Sequence, residues 1–169
     1  YRFIDEPEGR IHLLPYGAQI CGESCGKVKF VSMDIRPAAL VPPEDPVIQE
    51  ADAAFNAKAA ELTRDFVGAP LTTTYQAGDG MLEKIFENVV MFSSPQSPSS
   101  IQLRSLPQLT GIPPEPPVAP RSDPGMVFHP TLSVDLGYNI PSIFVEYITA
   151  HGTLDFSGRP RNELPAIET

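Results

Sequence analysis

The stretch Asp45 to Gly68, "DPVIQEADAAFNAKAAELTRDFVG", is the clearest element in the chain. Val47, Ala51, Phe55, Ala59, Leu62 and Phe66 recur at steps of three or four, which is one face of a helix with 3.6 residues per turn. Gln49, Asp52, Asn56, Glu61 and Arg64 fall on the opposite, polar face. Asp45 is placed to cap the first turn, and Pro46 suits the first helical position. Gly68 can take the left-handed conformation that stops a helix, and Pro70 lies beyond it. The pattern predicts a helix over about 46–67, a rod of roughly 32 Å at ~1.5 Å per residue. Its seam is rich in Ala, so a neighbouring element can approach closely. The acids at its start, Glu44, Asp45, Glu50 and Asp52, suit the positive end of the helix dipole.

A second helix is predicted over about 79–92, "DGMLEKIFENVVMF". Met81, Leu82, Ile85, Phe86, Val89 and Val90 form a wide apolar stripe, with Glu83, Lys84, Glu87 and Asn88 to the other side and Asp79 as the cap. Just before it, "LTTTYQA" reads as a short strand. Other strands are predicted toward both ends. "RIHLLPYG" and "KVKFVSMDI" flank the stretch "CGESCG". "MVFHPTLSVDLGY", "SIFVEYITAHG" and "GTLDFSG" follow in the last quarter. Leu132, Val134 and Leu136 alternate with Ser133 and Asp135, and Ile143, Val145 and Tyr147 with Phe144, Glu146 and Ile148. The fold class is therefore α+β: two helices with a small, mostly antiparallel sheet.

Between these halves runs a Pro-rich arm. Of the 20 prolines in the chain, ten lie between Pro95 and Pro130. Pro fixes φ and removes a backbone donor, so the arm cannot be a regular helix or a central strand. Polyproline II broken by turns is the expected local state. Such an arm makes few hydrogen bonds of its own, so its order must come from its own domain or from a neighbouring subunit. The expected organisation is 1–94 as strands plus two helices, 95–130 as the extended arm, and 131–169 as strands completing the same domain. Leu109, Ile112, Pro114, Pro117, Val118 and Pro120 are the arm's candidate partner-binding residues. "PPEPPVAPR" carries the Pro-x-x-Pro spacing at Pro114–Pro117 and Pro117–Pro120, which suits an aromatic groove.

Charge and motifs narrow the function. The formal net charge is −9, and acids outnumber bases in every third of the chain. Binding led by a nucleic-acid backbone needs clustered Lys and Arg, so DNA, RNA and anionic membrane surfaces are disfavoured. No apolar run approaches the ~18 residues of a membrane span. The chain begins at Tyr1 and shows no signal-peptide pattern, which suggests a processed product or a removed leader. There is no Gly-rich phosphate loop and no Gly-x-Ser-x-Gly elbow.

The two cysteines, Cys21 and Cys25, have three residues between them. A structural zinc site needs about four ligands, usually as two close pairs. A redox dithiol normally has two intervening residues. A disulfide would close a tight turn and contribute roughly 2 kcal/mol by chain entropy; two free thiols are the other reading. The disulfide is the expectation, and it points to a virion or extracytoplasmic setting. His129, Asp135, His151 and Asp155 offer the ligand types of a metal-assisted hydrolase if the fold draws them together, but no metal-binding spacing is present. No cofactor is expected. The favoured function is non-enzymatic: a structural or assembly subunit of a virion, phage particle or other multi-protein complex, contacting other subunits or copies of itself through the arm. The small hydrolase is the alternative.

Overall fold

In the computed structural model, Asp45 caps a helix as its position predicts. Its Oδ1 accepts hydrogen bonds from the backbone N–H groups of Val47, at 2.8 Å, and Ile48, at 3.4 Å. The structure describes residues 3–5, 11–21, 44–109, 111 and 113–152. The fold is α+β, as the sequence indicates. The chain divides into two units, Tyr1–Gly111 and Ile112–Thr169, so the boundary falls inside the Pro-rich arm.

In the first unit, strands β1 (Phe3–Asp5) and β2 (Ile11–Leu13) pair antiparallel, and a short helix α1 (Tyr16–Cys21) follows. Helix α2 runs Pro46–Leu62 and a single turn α3 runs Arg64–Val67. Strands β3 (Tyr75–Gln76), β4 (Leu82–Ile85), β5 (Val90–Ser94) and β6 (Ser97–Leu103) form an antiparallel sheet in chain order, and α4 (Leu106–Leu109) ends the unit.

The long helix differs from expectation in two ways. Its buried face is Ile48, Ala51, Phe55 and Leu62, whereas Val47 is exposed. It also breaks at Thr63, which has φ 73°, before α3 carries Phe66 and Val67 into the core. The carbonyls at the end of α3 are taken by a turn of the sheet. Asn88 N donates to Val67 O at 3.1 Å, and Asn88 Nδ2 to Phe66 O at 3.2 Å. Gly68 follows at φ 79°, and a Cβ there would lie 2.5 Å from Glu87 Cβ. Only Gly meets both demands.

The helix expected over 79–92 is not formed; β4, a turn and β5 take its place. Ile85 pairs with Val90 and Leu82 with Ser93, and Phe86 N donates to Val89 O across the connection. Asp79 serves a turn, its Oδ1 accepting from Met81 N. The physical reason is burial on both faces. All four β4 residues are buried, including Glu83 and Lys84, which a helical stripe would have left in water. Ile85, Phe86, Val89, Val90 and Phe92 also suit a strand, and Glu87–Asn88 breaks the run into two.

β6 corrects the polyproline II expectation for 97–103. It is the edge strand of its sheet, where Pro98 is tolerated because one side of the strand needs no partner.

The second unit is a hairpin of β7 (Met126–Pro130) and β8 (Gly137–Pro141) followed by helix α5 (Ser142–Ala150). The strand expected over "SIFVEYITA" is therefore a helix. Phe144 and Ile148, one turn apart, are its buried residues, and Pro141 ends β8 immediately before it. The residues read as an alternating strand, Leu132, Val134 and Leu136, instead form the exposed connection between β7 and β8. The strands expected at "KVKFVSMDI" and "GTLDFSG" lie outside the described residues. No helix among the described residues is long and apolar enough to cross a membrane.

Candidate functional site

The second unit fixes a strap of Pro-rich backbone. Between residues 113 and 120, every residue except Val118 is either Pro or stands directly before one. Pro holds its own φ near −65°, and the residue before it is pushed into extended or polyproline II conformations. The segment is thus extended by local chemistry before any tertiary contact forms. β8 then ties it down. Tyr138 donates from its hydroxyl to Glu115 O at 2.7 Å. Val118 exchanges two backbone hydrogen bonds with Gly137, each 2.8 Å. Asn139 is fully buried, its Nδ2 donating to Ala119 O at 3.1 Å and its Oδ1 accepting from Arg121 N at 2.9 Å. The strap thereby supplies partners that a buried amide requires. Gly137 also admits the close approach of β7 to β8: a Cβ there would sit 2.0 Å from His129 O.

The tethers engage the strap's backbone, and its side chains face outward. Pro113, Pro114, Pro116, Pro117 and Pro120 are all exposed. Of the residues expected to bind a partner, Pro114, Pro117 and Pro120 are therefore open to solvent. Val118 is half-buried beside β8, Leu109 is half-buried in α4 of the first unit, and Ile112 lies outside the described residues. Sequence reading missed a second exposed feature, the connection at 131–136. Thr131 closes it, with N and Oγ1 both donating to Leu136 O. Leu132 and Val134 then stand almost wholly in water, at 104% and 79% exposure.

Three residues of the hydrolase reading, His129, Asp135 and His151, fall among the described residues. His129 is half-buried on β7, its Nε2 buried without a hydrogen-bond partner among the described residues. Burial holds its pKa below the usual histidine range. Asp135 is exposed in the hairpin connection. His151 Nδ1 lies 2.7 Å from Tyr147 O, and its ring is 4.3 Å from the Tyr147 ring. Asp155 lies outside the described residues. Among the described residues, no three of His, Cys, Asp and Glu are grouped to hold a metal ion. Cys21 is buried at the end of α1; its proposed partner Cys25 is outside the described residues.

Two polar clusters form around the buried Glu83 and Lys84 of β4, and sequence reading found neither. Lys84 Nζ donates to Asp52 Oδ1 and to Asn56 Oδ1, each at 2.8 Å, and Thr74 Oγ1 donates to the same Asp52 oxygen at 2.5 Å. Burial pushes the Asp52 carboxyl up, but the hydrogen bonds from Lys84 and Thr74 and the Lys84 charge outweigh it and hold its pKa below the usual value. Because successive side chains on a strand point to opposite faces, Glu83 serves the other side. It accepts from the Tyr75 hydroxyl and, at 2.8 Å, from Arg104 Nε. Arg104 Nη2 also lies 2.7 Å from Asp79 Oδ2, an ion pair not aligned as a hydrogen bond. The Arg104 guanidinium sits 4.2 Å from the centre of the Phe92 ring. Burial, with the Glu83 charge beside it, raises the Tyr75 pKa far above the ordinary tyrosine value. In each cluster the polar groups close on one another, which suits them to locking the sheet rather than to turning over a substrate. A signal did exist: Glu83 and Lys84 interrupt an apolar run, and Asp52 and Asn56 share a helix face at i, i+4.

No protein-family model, curated protein or solved structure matches this chain.

Proposed function

We propose that this chain is a non-enzymatic subunit of a larger protein assembly, and that it docks through the surface of its second unit. One observation carries the reading: the backbone of 115–121 is pinned by Tyr138, Gly137 and Asn139 while the prolines along it are exposed. A surface held in place before binding loses less entropy when a partner arrives. The connection between β7 and β8 adds to it, because Leu132 and Val134 are exposed apolar side chains that a partner could cover. The acidic charge of the chain favours a protein partner over a nucleic acid. A particle component or an accessory subunit of a multi-protein complex fits this role.

The test is site-specific photo-crosslinking of the full chain in the cells that produce it. A photo-reactive side chain at 117 or 134 should give discrete protein adducts, whereas one at the exposed Ala57 of α2 should not. Absence of adducts at both 117 and 134 would sink the reading.

A further inference from the structure

We infer that the exposed prolines of the strap are a preformed polyproline II ligand for an aromatic-lined groove on a protein partner. The inference rests on the docking role proposed above and names how that docking works. A polyproline II helix repeats every three residues at ~3.1 Å per residue, so positions three apart share one edge. Glu115, Val118 and Arg121 form one such edge, and each is tied to β8: Glu115 O to Tyr138, Val118 to Gly137, Arg121 N to Asn139. Pro114, Pro117 and Pro120 form the second edge; Pro113 and Pro116 lie on the third. All five prolines on these two edges are exposed. Ala119, on the third edge, is tied as well, its O accepting from Asn139 Nδ2, so the edge of Pro114, Pro117 and Pro120 carries none of these tethers. The unit thus holds the first edge at three points and the third at Ala119, and leaves Pro114, Pro117 and Pro120 untethered, over roughly 19 Å from 114 to 120 at the polyproline II rise.

That geometry selects a class of partner. Proline rings are compact, apolar and conformationally restricted, and they pack into grooves walled by Tyr, Trp and Phe. The pairs Pro113–Pro114 and Pro116–Pro117 repeat at the three-residue period, so successive pockets of one groove can each receive a pair. The Pro-rich strap is already restricted when unbound, and β8 restricts it further.

The full chain is titrated by calorimetry with a panel of isolated SH3 and WW domains, whose grooves are of this kind. At least one should bind saturably. Pro117→Ala, with its side chain exposed, should leave the melting curve unchanged and weaken that binding about tenfold, as should Pro114→Ala. Pro124→Ala lies off both edges and should change nothing. Asn139→Ala, which frees the strap but keeps every proline, should weaken binding severalfold. Failure of the whole panel to bind overturns the inference, as does binding indifferent to Pro114 and Pro117. Should adducts nevertheless form at position 134 in the cross-linking test, the assembly role stands and only this mode of docking falls. Loss of both results removes both claims.

Discussion

The two units use their buried polar side chains in opposite ways. In the first, Glu83 and Lys84 sit side by side on β4, and each is met mainly by other side chains: Arg104 and Tyr75 on one face, Asp52 and Asn56 on the other. In the second, Asn139 and Tyr138 reach for backbone, at residues 115, 119 and 121. Closure of side chain on side chain specifies which residues must meet, and so fixes a core. Closure of side chain on backbone specifies only a path. It leaves the tethered residues free to carry any side chain that tolerates the path, prolines included. A surface segment can then be rigid and still present its side chains to a partner.

The largest effect should come from the apolar side of the first unit. Phe55 is wholly buried on α2, and Phe55→Ala should cost about 3–5 kcal/mol from lost transfer energy and the cavity left behind. Urea denaturation of the full chain measures it; a loss under about 1 kcal/mol would mean that α2 does not anchor this core. Next in size is the lock itself. Glu83→Ala removes a buried carboxylate and leaves Arg104 with a weaker set of partners, at a cost of about 3 kcal/mol. If side chains truly close on each other here, Glu83→Ala and Arg104→Met should be strongly non-additive in a double-mutant cycle. Simple additivity would erase the contrast between the units.

For the second unit, Asn139→Ala should cost about 2 kcal/mol, because it strips partners from Ala119 O and Arg121 N. Hydrogen exchange at the Arg121 amide should speed up. Asn139→Asp keeps an acceptor for Arg121 N but loses the donor to Ala119 O, so it should protect the Arg121 amide better than Ala does. Equal exchange in the two variants would show that the Asn139 oxygen does not hold the strap.

The sequence made some of this legible. Asp45 and Pro46 announce the start of α2, because capping is a local matter of one side chain and two N–H groups. Phe55 and Leu62 follow from helical period alone. What failed was tertiary. Residues 79–92 have an apolar stripe that suits a helix, and only the partners of Glu83 and Lys84, up to 32 positions away, make both faces buried. Residues 142–150 alternate like a strand, yet Phe144 and Ile148 also stand at helical spacing, and the buried face of the helix decided between them. Pro restricts the arm locally, yet β6, the turn of α4 and β7 all form within 95–130. That Asn139 would hold the strap was not readable, since an Asn following Gly–Tyr reads as turn chemistry until its burial is known.

The smallest expected effect is one of pH, and it separates the units by window. Burial lowers the pKa of His129, and its Nε2 has no partner among the described residues that would favour the proton. The folded value thus lies below the ordinary 6.5 of the unfolded chain. Above that value both states are neutral and pH has no effect through this group. As pH falls below it, the unfolded state takes up the proton first, and stability declines until the folded pKa is passed. Asp52 behaves as a depressed carboxylate: its contribution is complete above the unfolded value of 3.8 and is lost only as pH falls below that. Between about pH 6.5 and 5 the loss attributable to these two groups should therefore belong to His129 alone. The difference in stability between the wild-type chain and His129→Gln, followed by denaturation from pH 7.5 to 5, isolates it from His12 and His151. The wild type should lose stability faster with acid than the variant, and the histidine's own ring resonances should titrate below the ordinary range. Parallel pH profiles would mean that the buried nitrogen is solvated in solution, and that acid does not weaken the second unit through this hairpin.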